Sequence, residues 1–183
     1  RPVCAWLIAQ TRKRLEAARV KDPERGAAAV NAIRTNTGAG FSSPEPDMVL
    51  HLARMRVAAA IGLPLMHQEP TNVLHYDPGQ EYRPHFDFIT AEDEHAFARE
   101  IAAFGQRVCT VLVYLNEGYG GGETEFPRLD WRHKGRTGDA LVFWNVSAQG
   151  ERERSSLHAG LPVARGEKWL YSQWVREKPV PLV

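Results

Sequence analysis

The sequence predicts a single mainly β domain with helical support, an α+β arrangement. From about Glu69 onward, short aromatic and β-branched runs are separated by Gly, Pro and Asp turns, the pattern of strands. The first third carries helix-like apolar stripes instead. No regular alternation of strand and helix joins the two parts, which favours an antiparallel sheet or barrel with helices on one side. At 183 residues the chain is one domain spanning 1–183, long enough to bury a sizeable core.

Within it, about 1–65 reads as helical support and about 69–178 as the β core. Trp6, Leu7, Leu15 and Ala18 supply a first, rough apolar stripe. Asp47 to Ile61 supplies a stronger one, introduced by Ser42-Ser-Pro-Glu-Pro and stopped by Gly62-Leu-Pro64. Between them, Ala32 to Gly40 is polar and Gly-rich, a strand end and loop. Strands are expected at Asn72 to Tyr76, Arg107 to Leu115, Ala140 to Trp144 and Lys168 to Val175. The Ala- and Glu-rich stretch from Thr90 to Phe104 reads as an inserted helix or mobile loop, a candidate lid. The glycine run Glu117 to Thr124 lacks the Lys-Ser/Thr pair and following helix of a phosphate loop, and is read as a hairpin turn.

Composition narrows the function classes. A net charge of +1 implies neither a nucleic-acid surface nor an acidic-membrane surface, so neither partner is expected. No run of 18 apolar residues exists to span a bilayer. The apolar start, Arg1 to Ala9, runs directly into Thr11-Arg-Lys-Arg-Leu-Glu16, which suits an amphipathic helix better than a secretory signal. The chain does not begin with Met, so a removed targeting segment stays open. Two cysteines, Cys4 and Cys109, make no disulfide framework, and a cytoplasmic location is expected. A monomer or homodimer is the expected state.

The chemistry is concentrated in two places. His85 and Asp87 are two apart, so on a strand both side chains leave one face. His158 sits in a second apolar setting, Ser156-Leu-His158-Ala-Gly-Leu-Pro-Val163. Two histidines and one carboxylate with open positions are the donor set of mononuclear non-haem Fe(II) oxygenases, although zinc also accepts these ligands. Lys168, ten residues after His158, lies in the largely apolar run Trp169-Leu-Tyr-Ser-Gln-Trp174. Pointing inward, it needs an anion, and the far carboxylate of a keto acid supplies one. Tyr76, Tyr114 and Thr124 are polar helpers within reach of such a site. The other histidines, His51, His67, His75, His95 and His133, show no usable paired spacing.

These residues carry a resemblance. Arg34-Thr-Asn-Thr-Gly38, Val73 to Asp87, Arg107 to Asn116, Gly121 to Pro127, Gly138 to Phe143, Ser156 to Val163 and Gly166-Glu-Lys-Trp169 follow one another in the order seen in the Fe(II)- and 2-oxoglutarate-dependent dioxygenases. Within these the chain resembles the catalytic domain of prolyl 4-hydroxylases, over roughly residues 30–176. The resemblance implies a double-stranded β-helix (jelly-roll) core with N-terminal helices packed on one sheet. It implies Fe(II) on His85, Asp87 and His158, and 2-oxoglutarate on Lys168 with Tyr76, Tyr114 and Thr124. It implies a peptide groove lined by Arg34, Glu69, Tyr82, Arg107 and Trp174. The activity implied is hydroxylation of a C–H bond, C4 of a peptidyl proline, with 2-oxoglutarate and O2 converted to succinate and CO2 and ascorbate as reductant. Asn36 stands where a serine is common, and Ser147 to Arg154 is more charged than the usual loop. Two alternatives remain open: a hydroxylase of a free amino acid or small metabolite, and a non-catalytic peptide-binding jelly roll.

Overall fold

The computed structural model describes residues 1–18, 20–21, 28–29, 33–41, 47–91, 94–95 and 97–181. Its helices are α1 (Pro2–Arg12), α2 (Met48–Ile61) and α3 (Ala98–Phe104). The N-terminal strands are β1 (Glu16–Ala17), β2 (Val20–Lys21), β3 (Ala28–Ala29) and β4 (Thr37–Phe41). Then come β5 (Thr71–Tyr76), β6 (Tyr82–His85), β7 (Arg107–Tyr114), β8 (Gly120–Gly121), β9 (Thr124–Phe126), β10 (Trp131–His133) and β11 (Ala140–Trp144). The last three are β12 (His158–Gly160), β13 (Val163–Arg165) and β14 (Lys168–Arg176).

Two main antiparallel sheets form among the described residues, beside the two-stranded pairs β8-β13 and β2-β3. The larger has the order β1-β4-β5-β14-β7-β11, the smaller β10-β9-β12-β6. The larger sheet is built around β14, which pairs with β5 over residues 168–172 and with β7 over 170–176. Alternation then divides its residues. Val73, Cys109, Val111, Trp169, Tyr171 and Val175 face outward and join Cys4, Leu7 and Val57 of the helices in the main core. Burial of each such side chain contributes about 1.5–3 kcal/mol, enough to seat two helices on this face. Leu74, Tyr76, Tyr114 and Leu170 face inward and form a second cluster. Leu112 and Phe143 meet Phe126 of the smaller sheet, closing the two layers on each other.

The second helix begins where expected: Asp47 accepts from the main-chain N–H groups of Val49 and Leu50, at 2.8 and 3.0 Å. It ends at Gly62 in the left-handed conformation, φ 68°. The start signal at residues 42–46 and Ala32 fall outside the described residues, as do residues 92, 93 and 96 of the Thr90 to Phe104 stretch. The remainder of that stretch holds the short helix α3.

Two expectations are corrected. The N-terminal third is not simply helical, because β1 and β4 extend the larger sheet. The strand end expected within Ala32 to Gly40 is the five-residue β4, Gly-rich because the neighbouring backbone leaves no room: a Cβ on Gly38 would lie 2.7 Å from the Val73 carbonyl oxygen. The glycine run is not a hairpin turn either. Gly120 and Gly121 pair with Arg165 and Val163 of the distant β13.

Candidate active site

His85, Asp87 and His158 converge between the sheets. His158 opens β12 directly opposite His85, the last residue of β6, so strand register alone places the imidazoles side by side with centroids 4.2 Å apart. Asp87 lies just past β6 rather than on it, a correction to the expectation of one shared strand. Its bend still brings Oδ1 within 3.8 Å of His85 Nε2 and Oδ2 within 3.6 Å of His158 Nε2. Among the described residues the three donor atoms lie within 4.8 Å of one another and can hold one metal ion.

The donors are prepared for a cation. Nδ1 of His85 is 2.8 Å from the Arg83 carbonyl, and Nδ1 of His158 is 2.9 Å from the Ser156 carbonyl. Each carbonyl accepts the Nδ1 hydrogen, which leaves the Nε2 lone pairs bare. Burial, then the neighbouring His158, pushes the His85 imidazole down to about 3, so it stays neutral. Burial pushes the Asp87 carboxyl the other way, but His158, His85, Arg107 and the Thr110 hydroxyl outweigh it and hold the group below the usual carboxylate range. Phe143 and Phe126 wall His158, and Tyr82 stacks on His85 at 3.5 Å.

Lys168 points inward. It is 1% exposed, and its Nζ has no hydrogen-bond partner among the described residues. Burial lowers it to about 7. Its Nζ lies 5.1 Å over the Tyr76 ring, the residue opposite it on β5. A buried ammonium without a partner is costly, so this cradle fits an anionic group. Space for it comes from Gly122, where a Cβ would meet Val163 at 3.0 Å and the Lys168 stem at 3.3 Å. Tyr114 and Thr124 join hydroxyls at 2.8 Å on the same inward face. Burial raises Tyr114 and Tyr76 to about 12, so both remain protonated donors.

The five residues expected to line a groove form two clusters beside His85 and Asp87. Arg34 lies over Tyr82, guanidinium to ring 4.7 Å, and donates to Asn36 at 2.9 Å. Arg107 forms a paired bond to Glu69, at 2.7 and 3.0 Å, and lies 3.8 Å over the Trp174 ring. Arg176 adds a second guanidinium to Glu69. Burial opposes ionisation of Glu69, but Arg107 and then Arg176 outweigh it and hold its carboxyl low. The indole Nε1 of Trp174 is buried with no partner among the described residues.

Sequence reasoning missed the support behind the donors. Thr110 donates to Asp87 Oδ2 at 2.8 Å, and Asn145 donates to Thr110 at 2.9 Å. Neither residue stands in a spacing that marks it. For Thr110 the parity of β7 was the available signal, since residues 110, 112 and 114 share the inward face.

A family model described as the 2OG-Fe(II) oxygenase superfamily matches residues 71–176, the stretch holding every one of these donors. The chain belongs to that superfamily. Fe(II), 2-oxoglutarate and O2 are therefore its cofactor and cosubstrates, and the bare histidine nitrogens and partnerless lysine fit the first two. This oxygenase is 32% identical over 191 residues to a probable prolyl 4-hydroxylase 3 of Arabidopsis thaliana, covering 94% of this chain and 64% of that one. To the prolyl 4-hydroxylase subunit alpha-1 of Rattus norvegicus it is 35% identical over 165 residues, covering 90% and 30%. The chain thus spans less than two thirds of the curated relatives it matches. Among solved structures, the viral collagen prolyl hydroxylase of Paramecium Bursaria Chlorella virus-1, in its 2OG complex, superposes with a TM-score of 0.70 at 27% identity. That match covers 96% of this oxygenase and 90% of the viral chain, and shows the jelly-roll fold. No described helix is long and apolar enough to cross a membrane.

Proposed function

We propose that this chain is one catalytic domain that hydroxylates C4 of proline within a peptide. The observation that carries the peptide reading is a groove of about 420 Å³ lined by Arg14, Glu16, Gly38, Gly40 and Asn72. It shares Arg34, Leu74 and Trp174 with the lining of the metal pocket. A chain-like substrate fits a trough that continues past the metal, whereas a free amino acid needs only a closed pocket. Similarity to prolyl 4-hydroxylases from a plant, an animal and a virus supports the choice of proline.

In this reading His85, Asp87 and His158 hold Fe(II), and Lys168 with Tyr76, Tyr114 and Thr124 holds the far carboxylate of 2-oxoglutarate. Bound together, iron and 2-oxoglutarate supply the oxidising chemistry, converting O2 and the keto acid to succinate, CO2 and a hydroxylated C–H bond. The protein supplies placement. Lys168 gives one charge-assisted contact at a fixed depth, and the tyrosine and threonine hydroxyls set the carboxylate's rotation. Phe126 and Phe143 exclude water around His158. Tyr82 and Trp174 present flat apolar walls for a proline ring, while Arg34 and Arg107 offer N–H donors to substrate carbonyls.

Succinate release with Fe(II) and ascorbate, measured with and without proline-containing peptides and with His158→Ala, tests this. Peptide-stimulated turnover with one oxygen added to the peptide, absent in the variant, is expected. Turnover that depends on the histidine but ignores every peptide points to a free amino acid or metabolite instead. No turnover by folded, iron-loaded protein removes the enzymatic reading.

A further inference from the structure

The helix-covered face of the same two strands carries a second cluster of metal donors. Strands β5 and β14 pair with His75 opposite Trp169 and Tyr76 opposite Lys168. Asp77 and Glu167 continue that register by one step, and side-chain alternation turns both toward the face that holds His75. Nε2 of His75 lies 3.7 Å from Asp77 Oδ1 and 3.7 Å from Glu167 Oε2. All three donor atoms fall within 4.8 Å of one another.

The imidazole is built rather than incidental. His75 is 4% exposed, and its Nε2 has no hydrogen-bond partner among the described residues. Nδ1 is 2.9 Å from the Thr37 hydroxyl on the neighbouring strand, and the ring packs at 4.2 Å on Trp169. In the tautomer that donates Nδ1–H to Thr37, a bare Nε2 lone pair faces two carboxylate oxygens, an arrangement that a cation between them relieves. Bonds of 2.0–2.2 Å require neighbouring donors roughly 2.8–3.6 Å apart, so a contraction of a few tenths of an ångström brings the imidazole into range of each carboxylate. The iron donors, at 3.6 and 3.8 Å, have the same spacing.

We propose that His75, Asp77 and Glu167 form a second divalent metal site, of one imidazole and two carboxylates, for a zinc-class cation that completes its coordination with water. Arg12 of α1 is the competing charge. It holds Glu167 through Nη2–Oε2 at 2.7 Å, and the same oxygen accepts from Trp169 Nε1 at 3.1 Å. Its half-exposed side chain can release Oε2 when a cation enters. Asp77, more than half exposed, gives the cation its entry path.

Zn2+ titration by calorimetry of the whole chain tests the site independently of turnover. Wild type should bind two equivalents, Asp77→Asn/Glu167→Gln one, and Asp87→Ala/His158→Ala one. The amide variants nearly preserve shape, and an unchanged thermal midpoint separates loss of an equivalent from misfolding. Arg12→Gln should tighten the second equivalent several-fold. A single equivalent in wild type, or two that survive the amide substitutions, overturns the proposal.

Discussion

Thr110 donates its hydroxyl hydrogen to Oδ2 of Asp87 at 2.8 Å and accepts one from Asn145 at 2.9 Å. The carboxylate is thereby oriented by a side chain on β7, a strand that carries none of the three proposed ligands. Replacing Thr110 with Val keeps the volume and removes the donor. Metal affinity should fall about 10–100-fold, the usual effect of losing such a partner. Anaerobic Fe(II) or Co(II) titration measures it, and an unchanged affinity would detach Thr110 from the metal site.

The proposed role of Lys168 makes cosubstrate binding depend on pH. Burial lowers it from 10.5 to about 7, so the folded protein gives up this proton while the unfolded chain keeps it. Between about pH 7 and 10 the unfolded state binds more protons, and the stability of the ligand-free protein rises with pH, by at most about 5 kcal/mol from this group. Binding of a dicarboxylate favours the ammonium, so the KM for 2-oxoglutarate should climb as pH passes above 7. Lys168→Met should flatten both trends and raise KM throughout. A Lys168→Met protein with wild-type KM would contradict the assignment.

Glu69 is the counter-ion of two guanidiniums, Arg107 and Arg176. Glu69→Gln leaves both without their carboxylate in a largely buried setting, a change that costs about 3–5 kcal/mol. Urea denaturation should show that loss as a lower midpoint. A drop in peptide-stimulated turnover measured well below the midpoint should accompany it, because Arg107 is then no longer held over Trp174.

Tyr114→Phe removes one hydroxyl from the pair with Thr124. A hydrogen bond of this type contributes about 0.5–1.5 kcal/mol, so KM for 2-oxoglutarate should rise roughly 2- to 10-fold. The prediction is specific to the cosubstrate: Fe(II) affinity, measured in the same preparation, should not move.

Long strands were legible and short ones were not. The runs 72–76, 107–115, 140–144 and 168–175 announced themselves through β-branched and aromatic enrichment over five or more residues, an enrichment that the Gly-rich five-residue β4 lacks. The three-residue β9, β12 and β13 are too brief to show any period, although β12 carries His158. The glycine run misled because its local sequence suits a turn, while its partner strand lies more than forty residues away. In the site, His85, Asp87, His158 and Lys168 stood out through spacing and setting. Thr110 and Asn145 did not, because a hydroxyl or amide acquires meaning only from what lies opposite it. His75 and Asp77 repeat the spacing of His85 and Asp87 and were passed over all the same, because Glu167, the third member of that cluster, is remote in sequence.

The two histidine donors are each fixed by the main-chain carbonyl two residues earlier, at Arg83 and Ser156. No point substitution deletes a carbonyl. The tautomer of both imidazoles is therefore independent of which side chains stand at positions 83 and 156. Asp87 has no such insurance, since its orientation depends on the identity of residue 110. Side-chain changes at those two positions leave both imidazole hydrogen bonds in place, while the carboxylate ties the site to the hydroxyl of one residue on a distant strand.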